Sequence, residues 1–366
     1  MTRTLKSLLT ALLFVLSVVV HSQSVFDEYK SLFTIPSSYV IAYTPTSPII
    51  DGDLGDNQWK NVVWTDCFQD IEGDLKPNPY YDTRVKMLWD SSYLYVAAEM
   101  KEPHLWGNLT KRDQIVIYDN DFEIFIDPLN TTHNYFEIEV NTLNTIFDLF
   151  LSKPYRNGGS ALFSWNTPGM LHAVKMYGSL NNPNDRDEGW TVEFAIPFSS
   201  LTLGNNVNIP QEGDIWRINF SRVQWETDVV NGEYVKRKDS QGKVLPENNW
   251  VWSSQGVIDM HRPERWGYLQ FSTKSVNDKL PVFSLPYTEK QRKYLWLIYY
   301  KQKDFQRMNL RYASSLEELG LPKKVDIDGF ENELVVEGTS LTFDALIKDV
   351  ATGKLIRINN EGLITK

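Results

Sequence analysis

Two short segments place aromatic rings beside amide and carboxylate side chains, a combination suited to binding sugars. Residues 248–252 read Asn-Asn-Trp-Val-Trp, and Tyr118 stands shortly before Glu123. A sugar has C–H faces that stack on aromatic rings, and its hydroxyl groups need hydrogen-bond donors and acceptors. The chain holds 12 Trp, 18 Tyr and 18 Phe, and Trp106 and Trp225 are further candidates in loops. A single Trp is more often core than binding platform, so each ring has both interpretations.

Carboxylates recur on the polar face of several predicted strands. Phe122, Ile124 and Ile126 alternate with polar or mixed residues, and similar alternation follows in other segments. A solvated sheet face is the favoured interpretation, since this is the default for antiparallel sheets. The alternatives are a concave face that touches a polar ligand, or a glycoside hydrolase that uses two of these carboxylates. The polar-face residues are Glu123, Glu137, Glu139, Glu193 and Asn219.

Two oxygen-rich stretches could hold calcium, which takes six to eight oxygens in proteins. One is residues 51–56 (DGDLGD), and the other contains Asp119, Asp121 and Asp127. Turn formation is the favoured alternative, because Asp, Asn and Gly are suited to tight turns. An exported β-sandwich without disulfides would nevertheless gain stability from a structural calcium ion. Asp119, Asp121 and Asp127 are therefore the predicted metal ligands.

Several classes of function lack their sequence signals. The net charge of −10 argues against binding to the phosphate backbone of nucleic acids. The chain has no GxGxxG or Walker motif for a nucleotide, no HExxH pair for zinc and no GxSxG elbow. A b-type haem carrier is a third hypothesis, with Met87 or Met100 as an axial ligand. Both methionines have the pattern of strand core, so we expect no haem.

The alternating segments predict a mainly β fold, an antiparallel β-sandwich of jelly-roll or immunoglobulin-like type. Residues 36–273 would form this sandwich, and residues 274–287 a linker with Pro281 and Pro286. Residues 288–366 would add a C-terminal α+β extension, with a helix over Glu289–Tyr312 and short strands after it. We expect this extension to be able to contact a partner protein.

The N-terminus has the pattern of a secretory signal peptide over residues 1–22. Arg3 and Lys6 precede an apolar run from Leu8 to Val20, which is too short for a typical membrane-spanning helix. No other stretch is long and apolar enough to span, so we expect an exported protein, periplasmic or extracellular. The single cysteine, Cys67, cannot form an intramolecular disulfide.

An ordered series of motifs resembles family 9 carbohydrate-binding modules, and more closely the stand-alone family 9-like proteins of Bacteroidetes-type bacteria. The resemblance covers residues 49–272 and implies a β-sandwich, non-catalytic sugar binding and structural calcium. In the family, two aromatic rings hold the end of a sugar chain. The motifs are DGDLGDNQW (51–59), VKMLWDSSYLYVAAEM (85–100), DNDFEIFIDP (119–128), YFEIEVNTLNTIFDLFL (135–151), GWTVEFAIPF (189–198), WRINFSRVQW (216–225) and ENNWVW with RPERWGYLQF (247–271).

The family's site pattern can be transferred to part of this chain. Tyr118 stands where the family has a Trp. The family also has a basic residue on the central strand, and this chain lacks it and has Glu139 and Asn141 in that region. The resulting prediction is an exported protein that takes part in polysaccharide catabolism. It would bind a poly- or oligosaccharide by aromatic stacking and by hydrogen bonds from polar groups. The predicted stacking rings are Tyr118, Trp250 and Trp252, and the predicted polar partners are Glu123, Glu139, Asn141, Asn248 and Asn249.

Overall fold

A computed structural model describes residues 24–204 and 207–366. The predicted signal peptide, residues 1–22, lies outside this part of the chain. Apart from the β12–β13 hairpin, the strands within residues 36–273 form one curled sheet that folds into two facing layers, which confirms the predicted β-sandwich. Its strands and the hairpin beside it are β1 (Ser38–Tyr43), β2 (Gln69–Asp70), β3 (Thr83–Trp89), β4 (Tyr93–Lys101), β5 (Asp121–Asp127), β6 (Tyr135–Asn141), β7 (Ile146–Leu151), β8 (Ala161–Leu162), β9 (Leu171–Tyr177), β10 (Gly189–Pro197), β11 (Ile215–Gln224), β12 (Thr227–Val230), β13 (Glu233–Lys236), β14 (Asn248–Val251) and β15 (Gly267–Phe271).

The two layers are joined through β1. Along the sheet the order is β8-β7-β6-β5-β11-β15-β1-β3-β4-β10-β9, and β14 pairs with β11 and β2. The first part of β1 pairs with β15 and its end pairs with β3, both in parallel, whereas the other pairs are antiparallel. The strand therefore crosses from one layer to the other. This mixed pairing is the one departure from the antiparallel prediction.

The core lies between the layers and follows the predicted alternation. Phe122 on β5 and Phe194 on β10 meet across it, with their ring centroids 6.4 Å apart. Phe122 also stacks on Phe220 of β11 at 5.9 Å. All three rings are fully buried, as the period of two residues predicts for an inward face.

The C-terminal extension consists of one long helix and a small sheet. The helix α1 spans Tyr287–Asn309 and ends where Leu310 adopts a left-handed conformation with φ 58°. It therefore begins two residues before the predicted start and ends three residues before the predicted end. The sheet strands, in spatial order, are β16 (Lys324–Ile327), β17 (Phe330–Gly338), β18 (Phe343–Asp349), β19 (Leu355–Asn359) and β20 (Ile364–Thr365).

The extension packs on the sandwich through buried polar contacts. Glu289 of α1 accepts a hydrogen bond from Arg217 of β11 at 3.0 Å, and both side chains are buried. Tyr300 of α1 donates to Glu264 at 2.7 Å, and Arg156 donates to the same carboxylate. The residues before the helix, 274–286, contain neither helix nor strand. The boundaries 36–273, 274–287 and 288–366 stay a prediction, as does a partner protein for the extension.

The loops contain short 3-10 helices at Asp27–Phe33, Gly73–Leu75, Val116–Tyr118, Tyr155–Asn157, Phe198–Ser200 and Pro263–Arg265. No helix within residues 24–204 and 207–366 combines the length and apolarity needed to cross a membrane.

Candidate functional site

The two predicted stacking tryptophans of the late motif are core residues in the structure. Trp250 and Trp252 are 2% and 3% exposed, and both belong to the cluster between the layers. Trp252 packs against Gly267, where a Cβ atom would collide with its ring. Neither ring leaves a face open to a ligand in this structure.

Such rings lie directly above Trp250, in an open cleft. The ring centroid of Tyr80 is 4.7 Å from that of Trp250, and Tyr81 lies beside Tyr80 at 4.6 Å. Tyr80 is 53% exposed, so about half of its surface is open to solvent. The cleft has a volume of about 280 Å³. We call it the aromatic cleft, and its lining includes Tyr80, Tyr81, Glu102, His104, Trp106, Gln224, Trp225, Glu226, Thr227 and Arg237.

Trp225 is held in the cleft by both of its nitrogen atoms. Its backbone N–H donates to the side-chain oxygen of Asn120 at 2.8 Å, and its Nε1 donates to the carbonyl of Ile117 at 2.7 Å. The hairpin of β12 and β13 carries Lys236, whose Nζ lies 3.3 Å from the centre of the Trp225 ring. The same ammonium lies 5.4 Å from the ring of Tyr118, which is 58% exposed. Tyr118 is thus the one predicted stacking ring that the structure leaves open, and it neighbours the cleft.

A buried polar network forms the floor of the cleft. Arg222 on β11 donates to Glu102 at 3.0 Å and to Gln224 at 2.7 Å, and its side chain is 1% exposed. Asn120 donates to the same Glu102 oxygen at 3.1 Å. Because each group is fixed by another, the floor offers polar atoms in set positions to a ligand.

Trp106, one of the residues that line this cleft, has a side-chain donor with no described acceptor. The residue is 5% exposed, and its Nε1 is buried without a hydrogen-bond partner in the described part of the chain. A buried indole N–H normally has an acceptor, because leaving it unpaired costs free energy. A ligand hydroxyl group in the cleft would be a suitable acceptor.

The two asparagines of the late motif differ in their surroundings. The Asn248 amide lies 3.4 Å from the Tyr80 hydroxyl and donates to the carbonyl of Gln224 at 3.2 Å. It therefore stands at the edge of the aromatic cleft. The backbone carbonyl of Asn249 accepts from Ile71, and its half-buried side chain has no described bond to the cleft residues.

The remaining predicted polar partners do not line the cleft and lie on the outer face of β5 and β6. Glu123 pairs in register with Glu139, and both are buried. Asn141 is fully buried, and its amide donates to Asp119 at 2.9 Å and to the carbonyl of Leu109 at 2.8 Å. A second apolar cluster explains the burial, since it lies on this face and contains Val116, Phe125, Tyr135, Phe147, Leu149, Leu151 and Trp266.

The carboxylates on this face have raised pKa values. Burial, which disfavours the charged form, raises the pKa of Glu123 to about 7 and that of Glu137 to about 8. Burial also raises the pKa of Asp121 and Glu139 well above the usual range, and repulsion by Glu123 adds to it. These groups crowd one another in a setting poor in water.

Of the three predicted metal ligands, Asp119 and Asp127 accept hydrogen bonds from backbone N–H groups of loops. The Asp119 carboxylate accepts from the backbone of Asn108 and Leu109 at 2.8 and 2.9 Å. The oxygens of Asp127 accept from the backbone of Leu129 and Thr132 at 3.1 and 2.7 Å. Only Asp121 has a buried oxygen, Oδ2, without a described partner. The structure therefore groups Asp121 with other carboxylates rather than with Asp119 and Asp127.

The residues on which the two alternative functions, glycoside hydrolysis and haem binding, depended are all buried. Glu123 and Glu139, the candidate pair for glycoside hydrolysis, are 5% and 3% exposed and face the second apolar cluster. Met87 and Met100, the candidate haem ligands, are fully buried between the layers. None of the four side chains lines the aromatic cleft.

Sequence reasoning missed most of the cleft. Tyr80 and Tyr81 follow the turn-forming residues Pro77-Asn78-Pro79, which was the available signal for exposed rings. Glu102 and Gln224 stand at the ends of strands and carried no signal of their own.

Comparison with known proteins places the chain in a family. The profile of the family described as "Carbohydrate family 9 binding domain-like" matches residues 50–255. Among curated proteins, the chain is 30% identical over 164 residues to endo-1,4-beta-xylanase A of Thermoanaerobacterium saccharolyticum, covering 44% of this chain and 12% of that protein. It is 29% identical over 163 residues to exoglucanase XynX of Acetivibrio thermocellus, covering 44% and 13%. The chain thus spans about an eighth of the length of these relatives.

A similar solved structure is a family 9 carbohydrate-binding module of Caldicellulosiruptor kristjanssonii in complex with cellotriose. It is 18% identical, with a TM-score of 0.42, and the match covers 68% of this chain and 100% of that chain. The family profile covers more than half of the chain. This protein therefore belongs to the carbohydrate family 9 binding domain-like family.

Proposed function

We propose that this protein binds a poly- or oligosaccharide and that the aromatic cleft is where it does so. The observation that carries the proposal is the unpartnered Nε1 of Trp106, a buried donor in a cleft that also contains exposed ring faces. Membership of a carbohydrate-binding family supports the class of ligand.

Each part of the cleft matches one requirement of a sugar. Tyr80 and Trp225 offer aromatic surface to C–H faces, and Glu102 and Gln224 offer fixed polar atoms to hydroxyl groups. The volume of about 280 Å³ is near the lower limit of ligand pockets, about 300 Å³. A cleft of this size suits the end of a chain or a short oligosaccharide better than a long stretch of polymer.

The experiment is isothermal titration calorimetry with a panel of cello- and xylo-oligosaccharides. Stacking on one ring is worth about 1–3 kcal/mol, so Tyr80→Ala or Trp225→Ala should weaken binding by about 5- to 150-fold. Phe330→Ala is the matched control, because its ring is 54% exposed, like that of Tyr80, and lies in the C-terminal sheet. A folded wild-type protein that binds no member of a broad glycan panel would contradict the proposal.

We also propose that the protein is exported and serves polysaccharide catabolism. The apolar run from Leu8 to Val20 after two basic residues supports export. The named relatives are a xylanase and an exoglucanase, which supports a place in polysaccharide breakdown. Fractionation of cells that produce the full chain, followed by sequencing of the mature N-terminus, tests export directly.

A further inference from the structure

A second cavity lies between the C-terminal extension and the sandwich, and none of its lining residues lines the aromatic cleft. Its volume is about 230 Å³. Residues 32–36 form one side, α1 contributes residues such as Trp296, and Arg265 and Tyr268 belong to the sandwich. Ile35 is 86% exposed, so the cavity reaches the surface of the protein. We call it the junction cavity.

Positive charge predominates in the lining of the junction cavity. Five lining side chains are cationic and two are carboxylates, although the whole chain has a net charge of −10. The cationic residues are Arg217, Arg265, Lys290, Arg292 and Lys293. Arg217 and Arg292 pair with the lining carboxylate of Glu289, and Lys290 pairs with Asp328. The other two cations have no such partner in the described part of the chain.

Arg265 is a buried cation whose described hydrogen-bond partners are all neutral. It is 4% exposed, and its guanidinium donates to the carbonyl and hydroxyl of Thr34 and to the carbonyl of Ser254. Its Nε is buried without an acceptor in the described residues. The second lining carboxylate, Glu264, pairs with Arg156 instead. Because a buried charge without a counter-charge is costly, this position favours an anion.

Lys293 is the other lining cation without an ion pair among the described residues. Its Nζ lies 4.4 Å from the ring centre of Phe26 and 5.9 Å from that of Phe33. Partial burial lowers the pKa of Lys293, and repulsion by Arg265 adds to this effect. An anion in contact with both cations would relieve the repulsion between them.

We propose that the junction cavity binds a small organic carboxylate with a flat apolar body, of the chemical class of benzoate. Its carboxylate would lie between Arg265 and Lys293, since guanidinium and ammonium groups form strong hydrogen bonds with carboxylates. Its body would face the aromatic part of the lining, where Trp296 is 6% exposed and Phe33 is half-buried. The volume is below the lower limit of usual ligand pockets, about 300 Å³, so the ligand is small. This inference is independent of the aromatic cleft and stands or falls separately from sugar binding.

The test is calorimetric titration of the full chain with benzoate, benzyl alcohol and acetate. Benzyl alcohol keeps the ring without the charge, and acetate keeps the charge without the ring. Benzoate should bind saturably at one site and raise the thermal unfolding midpoint, because it binds the folded state. Each of the other two probes should bind at least about 10-fold more weakly, since each lacks one of the two interactions. Affinity equal to that of benzoate for either probe, or no saturable binding of benzoate at millimolar concentration, would overturn the proposal.

The decisive variant is Lys293→Gln, with Lys303→Gln as its control. Lys303 lies on the same helix and near two aromatic rings, those of Tyr299 and Tyr312, but it does not line the junction cavity. Lys293→Gln should weaken benzoate binding by about 10-fold, because it removes a charged hydrogen-bond donor. The control removes the same charge from the helix and should leave benzoate binding unchanged.

The thermal midpoint without benzoate separates a lost contact from a failed fold. Lys293→Gln should unfold at the same temperature as the wild type or higher, since it relieves repulsion with Arg265. A second pair of variants changes Ile35, which is 86% exposed at the cavity. Ile35→Asp should bind benzoate more weakly than the neutral Ile35→Asn, because the new carboxylate repels the ligand. Benzoate binding that survives both Lys293→Gln and Ile35→Asp unchanged would overturn the assignment of the junction cavity.

Discussion

Replacing Glu289 by glutamine should loosen the C-terminal extension from the sandwich. The carboxylate is 4% exposed and accepts from Arg217 at 3.0 Å and Tyr268 at 3.2 Å, while Arg292 lies 2.9 Å away. Burial alone would raise the pKa of Glu289, but the two arginines lower it, so the charged form is the one that the fold uses. The substitution leaves two largely buried guanidinium groups without their counter-charge.

The expected loss follows from this burial. Removing one partner of a buried ion pair costs about 3–5 kcal/mol, and because the glutamine keeps one acceptor oxygen we expect about 3 kcal/mol. The assay is urea denaturation followed by tryptophan fluorescence, together with limited proteolysis of residues 274–286. Cleavage in that segment should become faster if the extension detaches.

The matched control is Glu317→Gln, in the same extension. Glu317 lies 3.6 Å from Lys323, and both side chains are more than 70% exposed. Exposed pairs contribute about 0–1 kcal/mol, so this change should have little effect. A loss below about 1 kcal/mol for Glu289→Gln, or equal losses for both variants, would refute the reasoning that the buried pair holds the extension in place.

Two further predictions concern the core and the response to acid. Trp250→Ala should lower the free energy of unfolding by about 3–5 kcal/mol, as expected for a large buried ring. It should also weaken sugar binding, because the ring of Tyr80 packs against that of Trp250. Unchanged urea unfolding would contradict the core position of Trp250. Burial lowers the pKa of His133 to about 4, so the unfolded chain binds this proton first as the pH falls. The stability that the neutral His133 side chain contributes is complete above about pH 6.5 and is lost as the pH falls from about 6.5 to about 4. His133→Gln should therefore flatten the fall of the urea midpoint in that range, and an unchanged slope would count against a buried neutral histidine.

The sheet and the helix could be predicted because their signals are local. Phe122, Ile124 and Ile126 repeat every second residue, and the structure buries all three between the layers. The predicted end of α1 lies three residues too late. The helix ends at a left-handed residue, and this residue is Leu310 rather than the glycine that usually signals such an end in a sequence.

The division of aromatic rings between core and cleft could not be predicted in the same way. Trp250 and Trp252 stand two residues apart and share a face, but composition does not say whether that face is covered. The cleft joins Tyr80, Trp106 and Trp225 from three loops far apart in the chain. Such a meeting depends on the complete pairing of the sheet rather than on any local pattern.

The carboxylates of β5 and β6 illustrate the same limit. Their alternation with apolar residues predicted a face that was solvated or open to a ligand. The structure covers this face, because Trp266, more than a hundred residues away in sequence, packs over it with Phe125. Burial then changes the chemistry of Glu123, whose pKa rises to about 7.

Nuclear magnetic resonance of the indole N–H groups, recorded during an oligosaccharide titration, tests the sugar site most directly. The resonances can be assigned with single Trp→Phe variants. Trp106 Nε1 has no partner in the described chain and should shift strongly when a sugar hydroxyl group becomes its acceptor. Trp266 Nε1 already donates to the carbonyl of Met260 at 2.9 Å, and Trp266 does not line the cleft, so its resonance should not move. Saturable binding that leaves the Trp106 resonance unchanged would contradict the assignment of the aromatic cleft as the sugar site.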